Sequence, residues 1–454
     1  MDLLILDATV VTVNKGKDIL KNSGIAIQGD RIFDIGASAA IKKRYPQAKK
    51  IIDGSGKIVF PGLINCHSHS YQSLLKGLGD DLVLSDWLSQ MALPAAAALT
   101  HERAFYGALL CCLENIRSGV TTVVDMAPQQ NLSVLEGILE GLSLSGIRGF
   151  FAKGVVHEGR GQDGLPEIAR EVRQLLDKYQ GKFNGRIDFM LAPFQVWGNT
   201  PQSMALTQKL MEEYGLGVTI HVAETQYDED ATIEKFALPE VRVLEKYKLL
   251  NDKLLLVHGV NLKAPDMKLL KEHEVKVCHT PVCNMYLASG VAPVKEMLEA
   301  GLTVSLGTEG AGCNNSNDML ETLKAAALLQ KVSCRDPLAL TAAKVLEMAT
   351  IDGAEALGMA GEIGSLEKGK KADLFIFNPG TAIKAVPMHH PVSSLVYSST
   401  GGNVETVVID GRIILENGLF TAVDEERLIK KAQKAAEQLA AGIGINSLNC
   451  ELLL

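Results

Sequence analysis

At 454 residues, 47% of them apolar, the chain can bury a large core and exceeds one compact domain unless that domain is a barrel of about 250 residues. A formal net charge of −8 and the absence of a dense lysine and arginine stripe argue against a nucleic-acid partner and favour a small molecule. The eight cysteines are scattered, with Cys111 and Cys112 adjacent and no Cys-x-x-Cys, which points to neither a disulfide framework nor a thiolate zinc site but to buried thiols in a reducing cytosol.

The chain starts Met1-Asp2-Leu3-Leu4, with an acid where an export signal carries lysine or arginine, and no uninterrupted apolar run reaches about 18 residues. A cytoplasmic protein without a membrane span is expected. Residues 1–57 read as short strands at Leu3 to Ile5, Val10 to Val13, Gly24 to Ile27 and Arg31 to Ile35, with Gly29-Asp30 as a tight turn. Further on, β-rich runs alternate with segments of helical period, Glu102 to Ser118, Leu165 to Tyr179 and Thr200 to Tyr214.

The candidate strands of this middle region are Leu63 to Cys66, Thr121 to Asp125, Gly149 to Ala152, Ile187 to Ala192, Val218 to Val222, Leu254 to Val257, Val275 to Cys278 and Thr303 to Gly307. Such an alternation predicts an α/β fold, a (β/α)8 TIM-type barrel. A doubly wound open sheet is the alternative, but no Gly-x-Gly-x-x-Gly follows a strand. Ala372 to Phe377 and Val404 to Leu415 return to the β pattern, the second with an Asp410-Gly411 turn, and Asp424 to Leu439 reads as an amphipathic helix. The expected division is therefore a small β-sandwich domain formed by both chain ends (1–57 and 366–420), a barrel (58–365), and a C-terminal helix and tail (421–454).

In such a barrel, catalytic side chains project from the C-terminal ends of strands. Those ends carry His67 and His69 on strand 1, His221 and Glu224 on strand 5, His258 on strand 6, His279 on strand 7 and Glu309 on strand 8. His67 and His69, spaced i, i+2, face one side if the backbone stays extended. Three imidazoles plus a carboxylate suit one divalent ion, zinc or iron, with a position left for water. The ion lowers that water's pKa, and a neighbouring carboxylate, Glu224, can shuttle the proton, its other reading being a group that orients His221. His258 either ligates the ion or polarises the attacked bond, the second being favoured. His279 either acts directly or bonds a neighbouring loop. His101, His157, His273, His389 and His390 fall in helices or loops and receive no site role.

The stretches Pro61-Gly-Leu-Ile-Asn-Cys-His-Ser-His69, His221-Val-Ala-Glu-Thr225, Ser289-Gly-Val-Ala-Pro293 and Gly307-Thr-Glu-Gly-Ala-Gly-Cys-Asn-Asn315 resemble the amidohydrolase superfamily. They are most similar to its mononuclear branch of aminohydrolases and chlorohydrolases, with adenosylhomocysteine/methylthioadenosine deaminases, guanine deaminases and triazine hydrolases. The resemblance runs over nearly the whole chain. It implies that His67, His69, His221 and Glu309 bind one metal, that Glu309 also accepts a proton from the attacking water, and that Glu224 protonates the ring nitrogen and then the leaving amine. It implies that His258 orients the nucleophile or stabilises the tetrahedral centre, and that the protein is a homo-oligomer. Strand 4 offers no lysine for a two-metal bridge; Lys153 on strand 3 is the one residue that could change that count, and is expected to meet solvent or substrate.

The expected activity is hydrolytic removal of an exocyclic amine, or of chloride or alkylamine, from a planar heterocyclic substrate such as a triazine, purine or pterin. Trp87, Phe194, Gln195 and Trp197 are candidate walls for that ring, with Asp80 and His279 as further substrate contacts. Three departures qualify the resemblance. Strand 8 carries Glu309 where the family favours aspartate, which marks either a retuned site or an impaired one. Ala192-Pro193 is followed by Phe194 and not by the histidine of the nucleoside deaminases, which weakens an adenosylhomocysteine-type ligand, and Lys76 stands where arginine is usual. Local similarity around Val291 to Met297 and Glu347 to Ala354 leans toward the triazine hydrolases. Ring-amide hydrolysis of the imidazolone or hydantoin type is the alternative reaction.

Overall fold

The computed structural model describes residues 1–156 and 164–445; His157 and residues 446–454 of the expected tail lie outside them. The N-terminal strands are β1 (Leu3–Val11), β2 (Ile19–Gln28), β3 (Arg31–Ala37), β4 (Lys50–Asp53) and β5 (Ile58–Pro61). The two runs expected at Leu3 to Ile5 and Val10 to Val13 belong mostly to one strand. Register shifts on either side of Ala8 break its apolar alternation, and Asp7 there takes a left-handed φ of 60°, a conformation aspartate tolerates better than most residues.

Eight parallel strands follow: β6 (Leu63–Ser68), β7 (Val120–Met126), β8 (Arg148–Gly154), β9 (Ile187–Gln195), β10 (Gly217–Val222), β11 (Leu254–His258), β12 (Lys276–His279) and β13 (Val304–Leu306). They neighbour one another in chain order, as a (β/α)8 barrel requires. The seam between β13 and β6 is drawn together by the Glu309 N–H on the His67 carbonyl (3.0 Å) and by Asn65, whose side chain binds both the Thr308 hydroxyl (2.8 Å) and the Thr308 N–H (3.0 Å). β7, β8 and β11 are buried at every position, as parallel strands covered on both faces are, and β11 is apolar up to His258.

β14 (Leu374–Phe377), β15 (Val404–Ile409), β16 (Arg412–Glu416) and β17 (Leu419–Phe420) complete a nine-stranded mixed sheet with the N-terminal strands. The two chain ends meet where β5 and β14 pair antiparallel, from Leu374 opposite Pro61 to Phe377 opposite Ile58. Arg148 at the start of β8 ties this sheet to the barrel through Asp373 (2.8 and 3.1 Å) and Asp410 (3.0 Å), all three being largely or wholly buried.

The helices begin and end on local signals. Thr200 caps the helix Pro201–Tyr214 in a reciprocal pair with Ser203, and Gly215 ends it at φ 67°. Asp424 caps the helix Glu425–Gly442, which presents Leu428, Ala432, Ala435 and Leu439 to the core. Among the described residues no helix is long and apolar enough to cross a membrane.

Candidate metal centre

Ile64 and Cys66 of β6 pack in one cluster with Val124, Leu255, Val257 and Cys278, so simple alternation along the strand would turn His67 the other way. A register irregularity between Asn65 and Ser68 in the β6–β7 pairing re-aims the strand end, and both histidines converge with residues from β10 and the end of β13. Glu309 Oε1 lies 2.8 Å from His67 Nε2, 3.1 Å from His69 Nε2 and 3.5 Å from His221 Nε2. His67 Nε2 and His221 Nε2 are 3.1 Å apart. One donor atom from each of the four residues falls within 4.8 Å of the others, and all four residues are buried.

The groups behind these atoms fix which lone pairs face inward. His69 Nδ1 lies 2.9 Å from the Met126 carbonyl and His221 Nδ1 3.0 Å from the Phe194 carbonyl. A carbonyl only accepts, so each Nδ1 carries the proton and each Nε2 offers a lone pair, the arrangement by which a protein orients metal-ligating imidazoles. Burial pushes His67 down to about 4 and His221 to about 3, keeping both neutral near pH 7. Burial acts the same way on His69, but the Glu309 carboxylate outweighs it and raises that imidazole. Burial alone would raise Glu309; the His69 and His67 imidazoles hold it well below the usual carboxylate range. Two neutral imidazole nitrogens 3.1 Å apart, beside an anionic oxygen and with the lone pair of His221 Nε2 turned inward, fit a shared cation.

Glu309 reaches this point from a left-handed backbone, φ 69°, and its second oxygen accepts the Gly310 N–H. The same device recurs around the rim: Phe194, Ala223 and His258 have φ of 61°, 54° and 75°, and such non-glycine positions cluster where strain is retained for function.

Glu224 stands beside this group with His258, Oε2 to Nε2 at 3.4 Å, and the Ser289 hydroxyl donates to its Oε1 at 3.3 Å. Burial raises Glu224 from the ordinary carboxylate range to about 7, against the opposing pull of His258. His258 Nδ1 is held by Asn284 Oδ1 and the Thr280 hydroxyl, each at 2.9 Å. The Ala223 N–H between His221 and Glu224 donates to buried Glu240 at 2.7 Å.

These groups open onto a cavity of about 650 Å³ walled by Trp87, Phe194, Gln195, Trp197 and Tyr227. Trp87 Nε1 donates to the Gly312 carbonyl (2.9 Å) and Trp197 Nε1 to Asp228 (2.7 Å), so both indoles keep fixed planes. Phe194 lies nearly parallel to His69, ring centres 6.1 Å apart.

Two residues expected as substrate contacts do not line this cavity. Asp80 is exposed and bonded to the Tyr286 hydroxyl and to Asn315 (3.2 Å), joining two rim loops outside the cavity wall. His279 is fully buried, with neither ring nitrogen hydrogen-bonded among the described residues, and does not line the cavity; Cys278 belongs to the interior cluster and the chain alternates at that point. Burial pushes His279 down to about 3. Lys153 meets neither solvent nor cavity: it is 2% exposed, donates to the Gly154 carbonyl (2.7 Å) and pairs with Glu171 (3.0 Å). Asn284, Thr280, Glu240, and Asp125, which binds Ser70 through both its N–H (2.7 Å) and its hydroxyl (3.0 Å), were not anticipated as supports.

Residues 58–414 match the amidohydrolase family. The chain is 36% identical over 437 residues to a 5′-deoxyadenosine deaminase of Methanobrevibacter smithii, covering 96% of this chain and 98% of that one. It is 37% identical over 444 residues to a 5-methylthioadenosine/S-adenosylhomocysteine deaminase of Carboxydothermus hydrogenoformans, covering 97% and 99%. Among solved structures, an adenosine deaminase from Xanthomonas campestris with bound zinc superposes with a TM-score of 0.90 at 27% identity, covering 97% of this chain and 99% of that one. The atrazine chlorohydrolase of Arthrobacter aurescens in complex with zinc gives a TM-score of 0.88 at 25% identity, covering 96% and 100%.

Proposed function

The chain belongs to the amidohydrolase family, and from that premise we propose that it is a zinc-dependent aminohydrolase that removes the exocyclic amine of an adenine ring carrying a 5′-modified ribose. The observation that carries this reading is the convergence of His67, His69 and His221 Nε2 on Glu309 Oε1, with Glu224 alongside. The curated relatives at 36–37% identity support the adenosine class, and the zinc-bound neighbours support zinc over iron.

His67, His69, His221 and Glu309 would hold the ion, which when bound supplies a Lewis acid that brings the pKa of a water toward neutrality. Glu309 takes a proton from the attacking water at a carboxylate oxygen. Glu224, raised to about 7, carries a proton in the neutral range and delivers it from Oε2 to the ring nitrogen next to the attacked carbon. His258, fixed by Asn284 and Thr280, faces the developing oxyanion with Nε2. Glu224, left ionised, takes the proton of the new hydroxyl and passes it to the amino group; the C–N bond breaks as the carbon–oxygen double bond forms, ammonia leaves, and the proton held by Glu309 returns to Glu224. Trp87, Phe194 and Trp197 offer flat walls for the heterocycle, and Gln195 a polar contact.

Hydrolysis of an amino- or chloro-triazine is a second reading, favoured by Phe194 in place of the histidine that follows Pro193 in the nucleoside deaminases. The resemblance further supports a homo-oligomer and the scattered cysteines a cytoplasmic one; of the division into 1–57 with 366–420, 58–365 and 421–454 we move the first boundary past Pro61, because Ile58–Pro61 pairs within the sheet of the chain ends. An ammonia-release screen of zinc-loaded protein over 5′-deoxyadenosine, 5-methylthioadenosine, S-adenosylhomocysteine, guanine and aminotriazines decides the substrate. Release from the 5′-modified adenosines is expected; release from the triazines alone would replace this reading with the second.

A further inference from the structure

Glu309 uses only one carboxylate oxygen on the histidines. The other faces a different wall of the cavity, where Cys313 donates its thiol to Oε2 at 3.3 Å and to the Gly310 carbonyl at 3.1 Å. Cys283, from the short helix Pro281–Tyr286, completes the wall. One donor atom each from Cys283, Glu309 and Cys313 falls within 4.8 Å of the others, all three side chains are buried, and all three line the cavity. No part of the hydrolytic chemistry above uses either sulfur.

The geometry points to a second cation subsite formed by Cys283 Sγ, Cys313 Sγ and Glu309 Oε2, selective for a soft, thiophilic cation and sharing the Glu309 carboxylate with the histidine site. Two thiolates and one carboxylate form a donor set that prefers softer ions than three imidazoles do. Two sulfurs on one tetrahedral ion at about 2.3 Å stand about 3.8 Å apart. Donors already within 4.8 Å of one another need to close by about 1 Å or less. A cation must displace both thiol protons, as thiophilic ions do and hard ones such as magnesium do not. A carboxylate that presents one oxygen to each donor set also couples their loading.

The inference rests on the histidine site holding the first ion, and the test separates the two. Metal-depleted full-length protein is titrated with Cd²⁺ alone. Bound metal is counted by mass spectrometry, and the thiolate-to-cadmium charge-transfer absorption is followed in the ultraviolet. Two equivalents are expected, the charge-transfer band growing with only one of them, and the Cys283→Ser/Cys313→Ser double variant should take up one equivalent without a band. One equivalent and no band in the wild-type protein would overturn the sulfur subsite while leaving the histidine site standing. One equivalent with the full band would support the sulfur subsite and overturn the histidine site. A band that survives in the double variant would also overturn the assignment, since the sulfur would belong to another cysteine; if that variant does not fold, the single Cys313→Ser variant must still lose most of the band.

Discussion

Replacing Glu224 by glutamine should stabilise the protein and silence it together. Glu224 is buried, and its carboxyl is raised from 4.5 to about 7 by that burial. For a carboxyl whose folded pKa lies above its unfolded one, ionisation in the folded state is the penalised event. The penalty is therefore absent below about pH 4.5, grows as pH rises from there to about 7, and is fully present above. A shift of that size corresponds to about 3 kcal/mol at pH 8 in the metal-depleted protein. Glutamine keeps the shape and cannot ionise, so Glu224→Gln should match the wild type in stability near pH 4.5 and exceed it at pH 8. For a chain of this length that is a rise of roughly 3 °C in melting temperature, read by differential scanning fluorimetry on metal-depleted samples across pH. The same variant should lose at least about 100-fold in kcat, the range of a removed general acid. A melting difference that does not grow with pH, or undiminished turnover, would refute the assignment of Glu224 as a buried proton carrier.

Other outcomes follow from the same contacts. Glu309→Asp withdraws Oε1 from nitrogens it meets at 2.8–3.5 Å, so zinc affinity measured by chelator competition should fall by about 10-fold or more; equal affinity with faster turnover would mean that glutamate impairs the site. Asn284→Ala leaves His258 Nδ1 only the Thr280 hydroxyl, and kcat should drop by about 10-fold with KM little changed, whereas a KM effect alone would assign Asn284 to substrate. Arg148→Met strips the buried Asp373 of its cation and leaves Asp410 only Lys371, and should cost about 3–5 kcal/mol in chemical denaturation. A loss under 1 kcal/mol would show that the joint between sheet and barrel does not depend on it.

The barrel was legible because its parallel strands are buried on both sides and so appear as short apolar runs at regular spacing, and all eight recur within a few residues of the expected ranges. That His67, His69, His221, Glu224, His258 and Glu309 come together was legible because all six stand at or just past strand ends on one rim. What stayed hidden was orientation. His67 and His69 converge through a register irregularity, and Glu309, His258 and Ala223 through left-handed backbones, none of which has a signature in residue type. His279 shows the cost: it ends a strand as His258 does, yet faces away from the cavity because nothing re-aims it. The partners of Asp80 and Lys153 were hidden for a related reason, since a charged residue near a rim does not disclose that it meets Tyr286 or Glu171. The supports for the site, Asn284 and Glu240, lie in segments whose local pattern describes only a helix.

The most direct measurement is ammonia release from 5′-deoxyadenosine by protein stripped of metal with a chelator and then titrated with zinc. The expected result is no release from stripped protein and a rise to full rate as the first equivalent is added, with no such recovery in His67→Asn or His221→Asn variants. Full release from stripped protein, or unchanged recovery in either variant, would contradict a metal site formed by these histidines and Glu309.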